Sequence, residues 1–245
     1  METRVAVVTG GNRGVGLEIC RQLASNGILV VLTARDEEKG CQAVKALHQS
    51  GLSGVTFHQL DVIDRSSILL LVEFVRTKFG KLDILVNNAA IGGTTIDPER
   101  LSELLKQDPK ASSQLDYFPQ FISNEGVIKV LSDIDNLSDE KLKDVSGMFL
   151  KDFKDGNLEA NGWQPVTSAY AVSKTLVNAY SRLLAKKHPL LEVCCVNPGF
   201  VKTDMNYGMG LISAEEGAKA PVRLALQELR GHSCLYFEQC EIAEF

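Results

Sequence analysis

The chain lacks the features that mark secreted, metal-binding or membrane-spanning proteins. Its six cysteines show no Cys-x-x-Cys spacing and its four histidines do not cluster with them, so neither a disulfide framework nor a metal site is expected. No run of about eighteen apolar residues occurs, so no transmembrane helix is expected. The apolar run near the N-terminus is too brief for a secretory signal. We expect a reduced, cytoplasmic protein with no membrane contact.

An excess of basic charge is also absent. The chain has 26 Lys and Arg against 31 Asp and Glu, a net charge of −5, so nucleic acid is not an expected partner. Apolar residues make up 44% of the chain and charged residues 23%, which is ordinary for a globular protein. Because α/β domains often reach a length of 245 residues undivided, we expect one domain over residues 1–245.

The first 90 residues alternate between short β-branched runs and segments of helical periodicity. The pattern predicts strands at residues 4–9, 28–32, 55–60 and 82–86, with helices at 14–25, 36–49 and 66–79. Strands separated by single helices imply right-handed crossovers and a parallel sheet. The predicted fold class is α/β, a doubly wound parallel sheet of the Rossmann type flanked by helices.

The alternation stops between residues 91 and 164 and then resumes. Within that stretch only residues 127–131 have the composition of a strand, and a helix is predicted at 138–153. Beyond it the pattern predicts helices at residues 168–187 and 214–229 and strands at 191–196 and 234–237.

A glycine-rich turn, Thr-Gly-Gly-Asn-Arg-Gly-Val-Gly at residues 9–16, joins the first predicted strand to the first helix. At such a junction backbone N–H groups and the helix dipole can hold a pyrophosphate. Gly10 would permit the tight turn, Gly14 the close approach of phosphate, and Gly16 the packing of helix on strand. The alternative is a turn selected only for positive φ. Its position after the first strand favours cofactor binding.

The residue after the second predicted strand bears on the choice of nicotinamide cofactor. An acidic residue there would bind a ribose 2′-hydroxyl and repel a 2′-phosphate. Here it is Arg35, which suits the 2′-phosphate of NADP(H), with Arg13 as a second positive contact. The alternative for Arg35 is a solvated arginine beside acidic neighbours. Asp61, after the third strand, is placed to accept from an adenine amino group with Val62 beside the ring, or is only a turn residue.

Tyr170 and Lys174 are four residues apart on the predicted helix 168–187, so their side chains lie on one face. A phenol has an ordinary pKa of about 10. A nearby ammonium lowers that pKa because it stabilises the phenolate. The pair is therefore a candidate for acid–base chemistry, and the alternative is a chance spacing on a solvated helix.

Taken together, these motifs resemble the short-chain dehydrogenase/reductase family. The resemblance covers residues 1–90 and 160–245, and residues 124–164 resemble an insertion before the catalytic tyrosine in plant monomeric carbonyl reductases. It therefore also implies a monomer, because the inserted helices cover a surface that other members use to oligomerise. In family order, the motifs are the turn at 9–16, Asp61-Val62, Asn87-Asn88-Ala89-Ala90, Tyr170-x-x-x-Lys174, and Pro198-Gly199 with Thr203.

The resemblance implies an oxidoreductase that transfers a hydride between NADP(H) and a small lipophilic ketone or alcohol. Tyr170 would protonate the carbonyl oxygen, and Lys174 would bind the nicotinamide ribose and lower the pKa of the tyrosine. Besides this pair, the cofactor-binding residues would be Gly10, Asn12, Arg13, Gly14, Val15, Gly16, Arg35, Asp61, Val62, Asn88, Ala89, Ala90, Pro198, Gly199, Val201 and Thr203.

One part of the family pattern has no counterpart. The family has a helix with a structural asparagine and then a central strand with the serine that orients the substrate oxygen, whereas residues 94–121 contain three prolines and no β-branched run. Ser113 and Ser132 are possible replacements, and a surface position is the favoured interpretation of each. Losing a central strand should expose apolar edges or force its neighbours together. We hypothesise a shortened variant, with a noncatalytic cofactor-binding protein as the alternative to an enzyme.

Overall fold

The computed structural model describes residues 3–92, 122–163, 168–227 and 235–243. In chain order the elements are β1 (Val5–Val8), α1 (Gly14–Ser25), β2 (Leu29–Ala34), α2 (Glu37–Gln49), β3 (Val55–Gln59), α3 (Arg65–Phe79), β4 (Ile84–Val86), α4 (Glu125–Ser132), α5 (Asp139–Asp155), α6 (Ser168–Lys187), β5 (Cys194–Asn197), α7 (Ala214–Leu226), β6 (Leu235–Glu238) and β7 (Glu241–Ala243), with 3₁₀ turns at Glu159–Asn161 and Asp204–Asn206.

The chain divides into two compact units. The first unit comprises residues 1–91 with 198–228, and the second comprises residues 92–197 with 229–245. A single domain over residues 1–245 stays a prediction. The α/β fold of the Rossmann type is confirmed, with strands and helices alternating as predicted through β4.

The first unit is built on a four-stranded parallel sheet in the order β3-β2-β1-β4. Its two central strands are almost entirely apolar and buried, because helices cover both faces of a parallel sheet. Val8 on β1 and Leu32 on β2 lie in register with each other and in one core cluster with Ile19 and Leu23 of α1. This packing fixes the start of α1 at the carboxyl end of β1.

The second unit has its own core, in which the helices of the predicted insertion pack against α6. Trp163 is only 1% exposed, lies edge-on to Phe149 of α5 with ring centroids 5.3 Å apart, and donates from Nε1 to Asp152 at 2.8 Å. Val172 and Leu183 of α6 belong to the same cluster. Its three-stranded sheet has the order β5-β6-β7, parallel between β5 and β6 and antiparallel between β6 and β7.

The prediction of a strand at residues 127–131 is wrong, because these residues lie in α4. Val127 and Leu131 are four residues apart and both buried, which is the spacing of one helix face. Asn124 caps this helix by accepting from the backbone N–H of Val127 at 3.0 Å. The N-cap and the burial of one helix face therefore outweigh the β-branched composition of residues 127–131.

Strand β4 forms one edge of its sheet, since among the described strands it pairs only with β1. Leu85 in this strand is 54% exposed, and Ile68, Leu69 and Val72 of α3 are exposed as well. Uncovered apolar groups are what a missing neighbouring strand is expected to leave. Strand β5 belongs to the other described sheet, in which it pairs with β6.

Two further findings concern metals and membranes. Across the described ranges, no helix is both long and apolar enough to cross a membrane, and no three His, Cys, Asp or Glu side chains are grouped to hold a metal ion.

Candidate functional site

The glycine turn after β1 has the conformation that its residues require. Gly10 and Gly14 have φ values of 64° and 55°, the left-handed region that a side chain disfavours. Gly16 is needed for space, because a Cβ there would lie 2.4 Å from both the backbone oxygen of Gly10 and the side-chain nitrogen of Asn88. The turn is thus closed against the end of β4 so tightly that only glycine fits at this position.

Thr9 holds the two strand ends of this site together. Its hydroxyl accepts from the backbone N–H groups of Asn88 and Ala89, each at 2.9 Å, and the residue is 5% exposed. Asn88 in return donates from its side chain to the backbone oxygens of Thr9 and Gly10 at 2.9 and 3.2 Å. The motif includes Thr9, but sequence reasoning did not assign it a binding role. Its contribution is to fix the ligand-facing backbone.

The first turn of α1 is open to an anionic group. Arg13 occupies the N-cap position without a capping side-chain bond, and no acidic residue lies in the first turn. Backbone N–H groups at such a terminus attract phosphate. The Arg13 guanidinium pairs with Asp204 at 2.9 Å, a contact that was not predicted. Asn12 and Val15 are half-buried in the same turn.

Arg35 follows β2 and is exposed. Its acidic neighbour Asp36 is engaged elsewhere, accepting from the N–H of Lys39 at 3.0 Å to cap α2 and pairing with the Lys39 ammonium at 3.3 Å. Within the described ranges the Arg35 side chain has no ion-pair partner. An exposed guanidinium without an ion pair is available to a phosphate, and it is equally what a solvated arginine would show, so the phosphate role of Arg35 stays a prediction.

Asp61 makes hydrogen bonds typical of a turn, and its contact with adenine stays a prediction. Its side chain accepts from the N–H of Ile63 at 3.1 Å, and its own N–H donates to Ser67 at 2.9 Å. Val62 is exposed beside it, as are Ala89 and Ala90 after β4. These groups line the carboxyl ends of the parallel strands, the edge at which α/β sheets bind ligands.

The segment after β5 returns to the glycine turn within the first unit. A Cβ on Gly14 would lie 3.5 Å from the Thr203 methyl group, so Thr203 is in ordinary contact range of the turn. Val201 is buried, and the N–H of the next residue donates to Ile212 at 2.8 Å. Gly199 has a φ of 85°, while Pro198 beside it is half-buried. The first unit thus brings together its predicted turn and Thr203.

Tyr170 and Lys174 share one face of α6 in the second unit, with the Lys174 ammonium over the phenol ring at 5.5 Å from its centroid. Burial raises the pKa of Tyr170 above its ordinary value and lowers the pKa of Lys174. The expected depression of the tyrosine pKa by the lysine is therefore not observed. Desolvation of the phenolate is the dominant effect in this structure.

Of the two serines considered as replacements for the family's serine, only Ser132 can be placed relative to Tyr170. Ser113 lies outside the described residues. Ser132 is exposed at the end of α4, and its backbone oxygen accepts from Arg182 at 3.4 Å. Because Arg182 is twelve residues beyond Tyr170 on α6, about 18 Å along the helix axis, Ser132 is at the far end from the tyrosine. Its favoured interpretation as a surface serine is confirmed.

A parallel sheet with a glycine turn at the start of α1 defines a dinucleotide-binding α/β protein. The model of the family described as short chain dehydrogenase matches residues 4–135. A (+)-neomenthol dehydrogenase from Arabidopsis thaliana is 42% identical over 290 residues, covering 99% of this chain and 98% of the relative. The chain therefore belongs to the short-chain dehydrogenase family.

Other relatives agree with this assignment. The structure of salutaridine reductase from Papaver somniferum superposes with a TM-score of 0.87 at 39% identity, covering 96% of this chain and 99% of that one. A carbonyl reductase (NADPH) 3 from Rattus norvegicus is 37% identical over 260 residues, 91% of each chain. The 290 positions aligned with the Arabidopsis protein exceed the 245 residues of this chain by 45. At least that many positions of the relative have no counterpart here.

Proposed function

We propose that the chain is an NADP(H)-dependent carbonyl reductase or alcohol dehydrogenase that acts on a small lipophilic ketone or alcohol. The observation that carries the proposal is the open glycine turn with Arg35, free of ion pairs among the described residues, after the adjacent strand. A guanidinium at that position favours a 2′-phosphate, whereas a ribose 2′-hydroxyl calls for a carboxylate. The names of the relatives, among them an NADPH carbonyl reductase and a neomenthol dehydrogenase, support the same chemistry.

The residues of the first unit fit NADP(H). The first turn of α1 would hold the pyrophosphate through backbone N–H groups, because no side chain caps it. Gly10, Asn12, Gly14, Val15 and Gly16 would border the pyrophosphate, and Arg35 with Arg13 the 2′-phosphate. The adenine would be bordered by Asp61 and Val62, and the nicotinamide half by Asn88, Ala89, Ala90, Pro198, Gly199, Val201 and Thr203.

When bound, NADPH supplies the hydride, and the chain itself supplies the proton. Tyr170 would donate it from the phenol oxygen to the substrate carbonyl oxygen, and the raised pKa keeps the phenol protonated at neutral pH. Lys174 would bind the ribose hydroxyls and, over the ring, stabilise negative charge on the phenol oxygen as the proton leaves. Met205 and Tyr207 are exposed after Thr203 and would cover a lipophilic substrate.

We also propose a cytoplasmic monomer. The buried contacts of α4 and α5 with α6 support the monomer, because they occupy a face of the tyrosine helix inside the second unit. A protein with reduced cysteines suits the cytoplasm.

A noncatalytic cofactor-binding protein is the second candidate. The alignment favours it, since 45 or more positions of a relative are missing, and Ser132 lies at the far end of α6 from Tyr170. A chain without the family's serine would lack the hydroxyl that orients the substrate oxygen. It would still have the glycine turn and Arg35. This candidate predicts cofactor binding without turnover.

The test is an NADPH titration followed by a panel of lipophilic ketones, with turnover monitored by the absorbance of the cofactor. The enzyme is expected to oxidise NADPH, and Tyr170→Phe is expected to lower the rate about 100-fold or more without weakening NADPH binding. Tyr180→Phe is the matched control, because Tyr180 is exposed on the same helix and should leave the rate unchanged. Binding without turnover would select the second candidate, and no binding would reject both.

A further inference from the structure

Arg13 and Asp204 form an ion pair at the mouth of the glycine turn. The guanidinium Nη1 lies 2.9 Å from the carboxylate Oδ2, and the two side chains are 70% and 77% exposed. The pair joins the N-cap residue of α1 to the first residue of the 3₁₀ turn Asp204–Asn206. An anionic ligand that binds at Arg13 must therefore compete with the Asp204 carboxylate.

Asp204 is placed there by the backbone of its own segment. The Asn206 side chain accepts from the N–H of Thr203 at 3.1 Å and donates to the oxygen of Val201 at 2.8 Å. Thr203 in turn borders Gly14, as described above. Because these contacts do not involve the Asp204 side chain, neutralising its carboxylate should leave the segment where it is.

We propose that Asp204 is a specificity-determining residue, a resident competitor that occupies Arg13 until the 2′-phosphate of NADP(H) displaces it. The proposal rests on the proposed cofactor. A guanidinium forms charge-assisted bonds with carboxylate and phosphate alike, so the two anions compete for one cation. Exposed ion pairs are weak, and the carboxylate should reduce NADP(H) affinity only about two- to five-fold. Arg35 has no such competitor among the described side chains.

The test compares NADPH with NADH, which differ only in the 2′-phosphate. Asp204→Asn is expected to lower the Kd for NADPH about two- to five-fold at low salt and to leave the Kd for NADH unchanged, measured by the fluorescence of the reduced cofactor. Glu215→Gln is the matched control. It removes the same charge from an exposed ion pair of the first unit, with Arg21 at 3.5 Å, and should change neither Kd.

A double variant identifies Arg13 as the route of the effect. Arg13→Gln should weaken NADPH binding, and Asp204→Asn added to it should give no gain. An equal gain for NADH, a gain that persists without Arg13, or no gain at all would each overturn the competitor role while leaving the proposed function standing. Failure of the unaltered chain to bind NADPH would overturn both.

Discussion

The two units differ in how completely their predicted site residues are joined to one another. In the first unit, the turn, the end of β4 and the segment at Thr203 are joined by hydrogen bonds and close contacts. In the second unit, Tyr170 and Lys174 are in contact, but the orienting serine has no described counterpart. The hydrogen bonds of Thr9 with Asn88 and Ala89 join residues within the first ninety, so they do not depend on residues 93–121.

This contrast predicts that the missing positions affect chemistry more than cofactor binding. Apart from Tyr170 and Lys174, the residues proposed to bind the cofactor lie within the first ninety residues and at residues 198–203. The Arabidopsis relative has at least 45 aligned positions with no counterpart in this chain. Variants in each of the two units test this difference.

The largest effect is expected from Gly16→Val. Its Cβ would meet the Gly10 backbone oxygen at 2.4 Å, and backbone cannot move aside as a flexible side chain can. We expect a loss of about 3 kcal/mol of unfolding free energy and loss of NADPH binding, measured by urea unfolding and titration. Gly147→Ala in α5 is the control, because open space surrounds that position and helix propensity should rise. Retained NADPH affinity in Gly16→Val would contradict the completeness assigned to the first unit.

Thr9→Val is expected to lower the free energy of unfolding somewhat less. Valine has almost the same shape as threonine but lacks the hydroxyl. It leaves the N–H groups of Asn88 and Ala89 without their acceptor, at a cost of about 2 kcal/mol, and weakens NADPH binding. Thr33→Val, at a fully buried site where the hydroxyl makes one bond to Val8, should cost less in stability and leave binding unchanged. Equal effects of the two variants on the Kd would remove Thr9 from the site.

In the second unit, Lys174→Met should raise the free energy of unfolding. The gain should be smaller than the losses expected from Gly16→Val and Thr9→Val. Burial lowers the folded-state pKa of Lys174 below its ordinary 10.5, so between those values the unfolded chain binds more protons and stability rises with pH. The gain from Lys174→Met is therefore full below the folded-state pKa and shrinks toward pH 10.5. Urea unfolding across this pH range measures it, with exposed Lys151→Met on α5 as control. If the gain in stability did not change with pH, burial of the charged Lys174 ammonium would not be its cause.

The smallest change in stability is expected from Leu69→Lys combined with Val72→Lys on α3. Both side chains are exposed, so the free energy of unfolding should shift by no more than about 0.5 kcal/mol. Self-association at high concentration should nevertheless fall, because an apolar flank is replaced by like charges. Light scattering measures this, and Leu71→Lys, at a buried position of the same helix, should instead unfold the chain. Unchanged scattering would mean that this flank does not drive association.

Sequence periodicity located most elements because burial follows a local pattern. Helix α6 has the predicted limits, since its apolar spacing and both ends are encoded within twenty residues. Strand β7 was not predicted, because three residues at a sheet edge carry too short a pattern. The ion pair between Arg13 and Asp204 joins residues 191 apart, a distance over which one sequence alone gives no signal. The turn could be predicted, but its counter-ion could not.

The buried indole of Trp163 has a practical consequence for spectroscopy. It is the only tryptophan of the chain, and it sits in the core formed by α4, α5 and α6. Its emission spectrum will therefore report the melting of that core and nothing of the first unit, whose loosening must be followed by amide circular dichroism or by release of cofactor. Two unfolding signals that separate with temperature would show that the halves melt independently, and coincident signals would show one cooperative transition.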